Sequence, residues 1–180
     1  MNQYIIAAIA AFAIFLVVWA SSAQSIEPFT VVRSHDGDTT TVRDRKGNQF
    51  NIRFAVVDAN EDSNSLRQAG GKEATQYLNS ILPSGSKVSI VFTGNTSHNR
   101  TVATIYHNGR NINLAMLEAG HAVIDPRYVH QISPEMRSQY QQAQNNAKKR
   151  KLGRWGNRKW CAEYPWEFRR RIMAQRKTNK

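Results

Sequence analysis

Two short stretches of the chain carry acidic residues in positions where they could bind a cation. The stretch HDGDTTTV places Asp36 and Asp38 on either side of a glycine, just before a run of strand-forming residues. The stretch IRFAVVDANED brings Asp58 and Glu61 after an apolar segment. Carboxylates held at strand ends are typical ligands of hard cations. Because Asp-Gly is also a common turn dipeptide, solvated turns are the alternative interpretation.

A hard cation such as Ca²⁺ fits this pattern better than zinc does. Asp38 and Asp58 could hold it between them, with the backbone carbonyl of Ala59 and water as further oxygen ligands. A zinc-dependent phosphodiesterase is disfavoured because the sequence contains no Cys pair and no spaced His pair. The pairs His98-Asn99 and His107-Asn108 lie in no recognisable metal-binding frame, which argues against a His-Asn nuclease.

Two arginines have the chemistry that phosphodiester cleavage needs. Arg53 is embedded in an apolar strand, and Arg100 directly precedes another strand. As water attacks in line, negative charge builds on the equatorial phosphate oxygens, and a guanidinium can bind two of those oxygens where lysine cannot. The alternative is that each arginine only extends from its strand into solvent. Glu61, three residues after Asp58, could orient the attacking water or accept its proton.

The overall composition favours a single domain with a polyanionic partner. The chain has 180 residues, 41% of them hydrophobic, which is enough for one core. Its 25 Lys and Arg residues against 13 Asp and Glu residues give a net charge of +12. Because the basic residues are spread through the chain, nucleic acid is favoured over membrane lipid, and charge kept only for solubility is the alternative.

The first 23 residues are interpreted as an export signal. Residues 4–20 form an unbroken apolar run, and the small residues Ser21, Ser22 and Ala23 offer a processing site after Ala23. The run is also near the lower length limit of a membrane-spanning helix, so an uncleaved anchor is the alternative. The lone Cys161 excludes an internal disulfide.

The remaining chain reads as strands first and helices later. The predicted strands are Phe29–Val32, Thr39–Arg43, Gln49–Val57, Lys87–Thr93 and Arg100–Tyr106. The predicted helices cover residues 65–82, 112–119 and 133–152. Five strands with a helix inserted after the third are typical of an OB-fold barrel, so the fold class is α+β, mainly β, with about three helices in the domain.

These acids, arginines and elements together resemble the thermonuclease, or staphylococcal nuclease, family over about Phe29 to Trp155. The resemblance is carried by DGDT, by the Arg53-x4-Asp58-x2-Glu61 pattern, by Arg100 and by LEAGHAV. It implies that Arg53, Glu61 and Arg100 are catalytic, that Ca²⁺ is the cofactor, and that cleavage of DNA and RNA leaves a 3'-phosphate and a 5'-hydroxyl.

The resemblance also assigns supporting residues and shows departures. His98 stands where the family has a substrate-contacting tyrosine. Tyr128 aligns with another and is the candidate for stacking on a base, with an ordinary surface tyrosine as the alternative. Asp36 and Thr39 are expected to support the metal loop. Where members commonly carry a proline before the glutamate, this chain has Asn60, and the loss of proline is expected to free the loop that carries Glu61.

The basic C-terminal tail is predicted to bind phosphates away from the scissile bond. The stretches KKRKLGRWGNRKW and FRRRIMAQRKTNK would contact the nucleic-acid backbone without reading bases. The tryptophans among these charges fit barrel-end packing better than base stacking. The last dozen residues are expected to be disordered.

The sequence thus predicts three regions: residues 1–23 as a signal peptide or anchor, 24–155 as the OB-fold domain, and 156–180 as a basic extension. The predicted function is a secreted or periplasmic, monomeric, Ca²⁺-dependent nuclease acting on DNA and RNA with little sequence preference. One alternative is a non-catalytic nucleic-acid-binding OB module. Another is a DNA-processing accessory held in the inner membrane by residues 4–20.

Overall fold

The computed structural model describes residues 29–63 and 65–178. The segment interpreted as a signal peptide or anchor lies outside these residues. Within the described ranges, no helix has both the length and the apolar character needed to cross a membrane.

A closed β-sheet forms the centre of the molecule. Within the described residues the strands are β1 (Phe29–Asp36), β2 (Thr39–Arg43), β3 (Gln49–Phe54), β4 (Val57–Ala59), β5 (Asp62–Ser63), β6 (Leu66–Arg67), β7 (Lys87–Ser97), β8 (Arg100–His107), β9 (Arg110–Asn111) and β10 (Ala122–Ile124). The main sheet has the order β3-β2-β1-β7-β8-β9, and β3 also pairs in parallel with β8. This second pairing closes β1, β2, β3, β7 and β8 into a ring. The predicted five-stranded, OB-like α+β fold is therefore confirmed.

The helices pack around this ring. They are α1 (Gly71–Ile81), α2 (Ile112–Glu118), α3 (Pro134–Lys149) and α4 (Pro165–Thr178), with 3₁₀ helices at Pro126–Gln131 and Gly153–Gly156. Helix α1 buries Ala74 and Leu78, four residues apart and therefore on one face, against the same core as the inward-facing Ile52 and Phe54 of β3. One hydrophobic core is therefore shared by the ring and α1, the helix that follows the two acidic stretches.

The predicted strand Gln49–Val57 is interrupted, and the interruption shapes the site. Strand β3 ends at Phe54, and Val56 adopts φ +67, a left-handed conformation that a β-branched residue rarely takes. The N–H of Asp125 donates to the Val56 carbonyl at 2.7 Å and helps hold this bend. After the bend β4 leaves the main sheet and pairs with β10. Local propensity favours a continuous strand here, because the sequence does not show the tertiary contact that fixes Val56.

The predicted start of one helix and the predicted disorder of the tail were also wrong. The helix expected from residue 65 begins at Gly71, because Leu66 and Arg67 pair with β5 and Gly70 turns the chain at φ +87. The tail expected to be disordered forms α4 up to Thr178, so the described residues contain four α-helices rather than about three. Phe168 packs at 7% exposure and gives this helix an apolar anchor.

A buried side-chain amide forms hydrogen bonds with three backbone groups inside the core. Asn113 in α2 is fully buried; its Oδ1 accepts from the Ile105 N–H at 3.2 Å, and its Nδ2 donates to the carbonyls of Ala55 and Ala103 at 3.2 and 3.3 Å. We expect Asn113→Ala to lower the free energy of unfolding by about 3 kcal/mol, because buried backbone groups lose their partner. Chemical denaturation measures this loss. The exposed Asn146→Ala in α3 is the matched control, and equal stability losses in both variants would contradict the role of Asn113.

Candidate active site

The predicted site residues converge on one cleft of about 330 Å³ on the side of the ring. The cleft lies where the end of β1, the bend after β3, the start of β8, the first 3₁₀ helix and α4 meet. Its lining includes seven of the residues expected from the sequence: Asp36, Asp38, Arg53, Glu61, His98, Arg100 and Tyr128. Thr39, Asp58 and Ala59 are buried next to it.

A tight turn fixes the position of Asp38. The turn between β1 and β2 needs glycine at residue 37, because a Cβ there would lie 2.7 Å from the Cβ of Ala59. This close approach lets Asp38 Oδ2 accept the Ala59 N–H at 2.6 Å. Thr39 Oγ1 donates to Asp38 Oδ1 at 3.1 Å, and Asp36 Oδ1 accepts the N–H of Asp38 at 3.1 Å. Asp36 and Thr39 therefore contact Asp38 directly, as supporting residues would.

One guanidinium joins the two carboxylates that were expected to bind a cation. Arg53 Nη1 lies 2.7 Å from Asp38 Oδ1, and Arg53 Nη2 lies 2.7 Å from Asp58 Oδ1. Nη1 also donates to the Val57 carbonyl at 2.9 Å, which locks the side chain in place. Burial would lower the pKa of Arg53, but the charges of Asp38 and Asp58 raise it. Arg53 is thus a fixed, permanently charged group at the floor of the cleft.

The donor atoms around Asp38 and Asp58 fit a hard cation. Two carboxylate oxygens reach the same guanidinium, so they lie in one neighbourhood, and oxygen donors are the ligands that Ca²⁺ prefers. Burial raises the pKa of Asp38 well above its ordinary value, Arg53 opposes this shift, and Asp36 and Asp58 reinforce it. Across the described ranges no group of three or more His, Cys, Asp or Glu residues is placed so that it could hold a metal ion.

Arg100 reaches the cleft from the start of β8. The preceding residues His98 and Asn99 take left-handed conformations, with φ +49 and +61, in the turn between β7 and β8. Arg100 Nε donates to the Ser97 carbonyl at 3.1 Å, and Nη1 donates to Thr39 Oγ1 at 3.2 Å. Within the described part of the chain its guanidinium forms no ion pair, whereas that of Arg53 forms two. Arg100 can therefore offer its charge to an anionic ligand.

Glu61 is held by a residue that sequence reasoning placed elsewhere. Its carboxylate Oε1 contacts Nη1 of Arg169, from α4. Burial raises the pKa of Glu61, and the hydrogen bond and charge of Arg169 oppose that shift. The expectation that Arg169 acts far from the scissile bond is therefore wrong, since α4 folds back onto the cleft. The two arginines after it do not contact Glu61. Arg170 is exposed, and Arg171 forms an ion pair with Glu163.

An aromatic and cationic wall borders the cleft beyond Glu61. Tyr128 is 43% exposed, as a stacking residue must be. The Arg127 guanidinium lies 5.3 Å from the centre of the Tyr128 ring and 5.7 Å from that of the Trp166 ring, and it forms an ion pair with Asp125 at 2.6 Å. Sequence reasoning identified Tyr128 but missed Arg127 and assigned the tryptophans mainly to packing. The cleft lining contains both Arg127 and Trp166.

The segment 60–70, here called the Glu61 loop, is anchored rather than freed. Asn60, which stands in place of the family's proline, is buried, and its Nδ2 donates to the carbonyls of Ala69 and Trp160 at 2.6 and 2.9 Å. The expectation of a looser loop is therefore wrong, because side-chain hydrogen bonds supply the restraint that proline would give. The partner Trp160 lies 100 residues away and could not be identified from the local sequence.

Comparison with known proteins agrees with this geometry. The family model of staphylococcal nuclease homologues matches residues 51–157, more than half of the chain. An uncharacterized endonuclease of Haemophilus influenzae is 30% identical over 161 residues, which cover 88% of this chain and 84% of that protein. An uncharacterized endonuclease of Escherichia coli O157:H7 is 28% identical over 142 residues, covering 78% and 84%. The endonuclease YhcR of Bacillus subtilis is 34% identical over 161 residues, which span only 13% of its length. With its ring of five strands, its arginines and its paired carboxylates, the chain belongs to the staphylococcal nuclease family.

Proposed function

We propose that this protein is a Ca²⁺-dependent nuclease that hydrolyses internal phosphodiester bonds of DNA and RNA with little base preference. The observation that carries the proposal is the convergence of Arg53, Arg100 and Glu61 on one cleft beside the buried pair Asp38 and Asp58. The relatives named as endonucleases support cleavage within a strand.

Each catalytic group has a distinct part in this proposal. Arg100, whose guanidinium pairs with no carboxylate in the described residues, binds the phosphoryl oxygens as negative charge develops on them. Arg53 is aimed by its two ion pairs and places a second positive charge at the floor of the cleft. Glu61 orients the attacking water or accepts its proton. A Ca²⁺ ion held by Asp38 and Asp58 would supply further positive charge at the scissile phosphate.

Broad substrate tolerance follows from the kind of contacts the cleft offers. Guanidinium groups recognise phosphates, which are common to all sequences, and aromatic faces such as that of Tyr128 stack on any base. The net charge of +12 adds long-range attraction to a polyanion. We place His98 at the edge of the substrate path because it lines the same cleft.

Digestion of plasmid DNA and of RNA by the protein lacking residues 1–23 tests this proposal. We expect cleavage with Ca²⁺, none with a chelator, and no productive substitution by Zn²⁺. Full cleavage in chelator would contradict the cation requirement. Tight binding of nucleic acid without any cleavage in Ca²⁺ would favour the non-catalytic OB module.

We further propose that the nuclease is exported, since cleavage without base discrimination endangers the cell's own genome. The exported protein is expected to begin at or near Gln24, because the small residues before it form the best processing site. N-terminal sequencing of the extracytoplasmic protein measures this. A start at Met1 together with recovery in the membrane fraction would instead support the anchored accessory.

A further inference from the structure

Helix α4 brings a fourth arginine, Arg169, into the cleft beside Arg53, Arg100 and Arg127. Arg169 Nη2 lies 2.7 Å from Asp58 Oδ2, and Nη1 lies 3.0 Å from Asp58 Oδ1 while also contacting Glu61. The Asp58 side chain is completely buried, and that of Arg169 is 27% exposed. Burial would lower the pKa of Arg169, but hydrogen bonds and charges from Asp58 and Glu61 raise it above its ordinary value. A single planar guanidinium therefore fixes two carboxylates of the site.

Independent contacts hold the segment leading into α4 against the Glu61 loop. Asn60 donates to the Trp160 carbonyl, and Gln68 Nε2 donates to the Glu163 carbonyl at 3.0 Å. At Gly70, a Cβ would lie 2.7 Å from Cγ of Trp160, so the loop and the segment are in van der Waals contact. The placement of Arg169 thus depends on several restraints and not on its ion pairs alone.

We propose that Arg169 is a positioning residue of the active site and that the segment Asn157–Thr178 is part of the catalytic unit. Arg169 engages only Oε1 of Glu61; Oε2 has no hydrogen-bond partner among the described residues and stays available to act on water. Arg169 also contacts both carboxylate oxygens of Asp58, whereas Arg53 contacts Oδ1. Because the family match ends at residue 157, this residue lies outside the matched region. The catalytic part of the inference rests on the proposed nuclease function, whereas the contact with Asp58 can be tested without it.

The kinetic test uses the full chain and the variant Arg169→Ala. We expect turnover at saturating Ca²⁺ and DNA to fall by about 10- to 100-fold, because a misplaced carboxylate loses its alignment with the reacting atoms. The KM should change by less than about threefold, since Arg169 acts through Asp58 and Glu61 and not on the substrate. Millimolar guanidinium ion should restore much of the lost turnover by occupying the vacated place. A helix that serves only for stability would not give this rescue.

A calorimetric Ca²⁺ titration without nucleic acid tests the contact itself. Removing a positive charge from beside Asp58 should lower the Ca²⁺ dissociation constant of Arg169→Ala by at least about fivefold. Arg169→Lys keeps the charge but loses the planar fork, so its dissociation constant should stay near that of the wild type while its turnover falls. Arg170→Ala removes the same charge from an exposed position on the same helix and should keep the wild-type dissociation constant, because solvent screens that charge.

The outcomes separate the two proposals. Wild-type turnover in Arg169→Ala, a lack of rescue by guanidinium, or an unchanged or weaker Ca²⁺ affinity would each overturn the role of Arg169. If the unaltered protein binds DNA but never cleaves it with Ca²⁺, the proposed nuclease function fails. In that case the titration still shows whether Arg169 lies beside Asp58.

Discussion

Asp38→Asn is expected to reduce hydrolysis by roughly a thousandfold or more while leaving the ring of strands folded. The Asp38 carboxylate accepts from the Ala59 N–H and from the Thr39 hydroxyl and forms an ion pair with Arg53, so it organises three neighbouring groups. Asparagine has one acceptor oxygen instead of two, and its NH₂ group would face the N–H and O–H groups that donate to Asp38. It also removes the negative charge that a cation at this place requires.

Three measurements on the purified variant check this expectation. Circular dichroism should show native secondary structure, calorimetry should show weakened Ca²⁺ binding, and plasmid digestion should show the loss of turnover. Glu135→Gln, at an exposed position in the first turn of α3, removes the same charge away from the cleft and should keep wild-type activity. Undiminished cleavage by Asp38→Asn would remove Asp38 from the list of functional residues.

Arg53→Lys and Arg100→Lys are each expected to cut turnover by roughly two orders of magnitude or more. A lysine at residue 53 keeps the charge but cannot bridge Asp38 and Asp58 at the same time, so the floor of the cleft loses its fixed geometry. A lysine at residue 100 loses the two-pronged contact with phosphoryl oxygens. Because these interactions are strongest in the transition state, binding of uncleaved DNA should change little.

Single-turnover kinetics and equilibrium binding must be measured on the same variants. Arg43→Lys, at the exposed end of β2, is the matched control and should behave as the wild type in both assays. If the Arg53 and Arg100 variants lose DNA affinity but keep the cleavage rate at saturation, these arginines bind substrate without promoting the reaction.

The residues predicted from the sequence were those that belong to a recognisable local pattern or to the motifs of the family resemblance. Asp38 follows a glycine turn, and Arg53, Asp58 and Glu61 lie within nine residues of one another, so strand periodicity and turn chemistry place them near each other. The structure brings all of them to one cleft. A closed five-stranded barrel was likewise expected, because five strands with a helix inserted after the third are typical of an OB-fold.

What the sequence did not reveal depends on contacts between distant parts of the chain. The bend at Val56 requires a hydrogen bond from Asp125, and the anchoring of Asn60 requires Trp160. Arg169 is one of several basic residues in the tail, and nothing in its neighbours distinguishes it from Arg170. Burial against a specific partner gives each of these residues its role, and local propensity carries no information about such partners.

The long separation between Arg169 and its partners has a consequence for protein synthesis. Arg169 is 111 residues from Asp58 and 108 from Glu61, whereas every strand of the ring precedes residue 108. A nascent chain can therefore complete its barrel while α4 is still inside the ribosome. If Arg169 acts as proposed, such a stalled chain, or a product clipped between residues 157 and 168, would be folded but poorly active. Full nuclease activity would then report that translation has passed Arg169 and that α4 has docked.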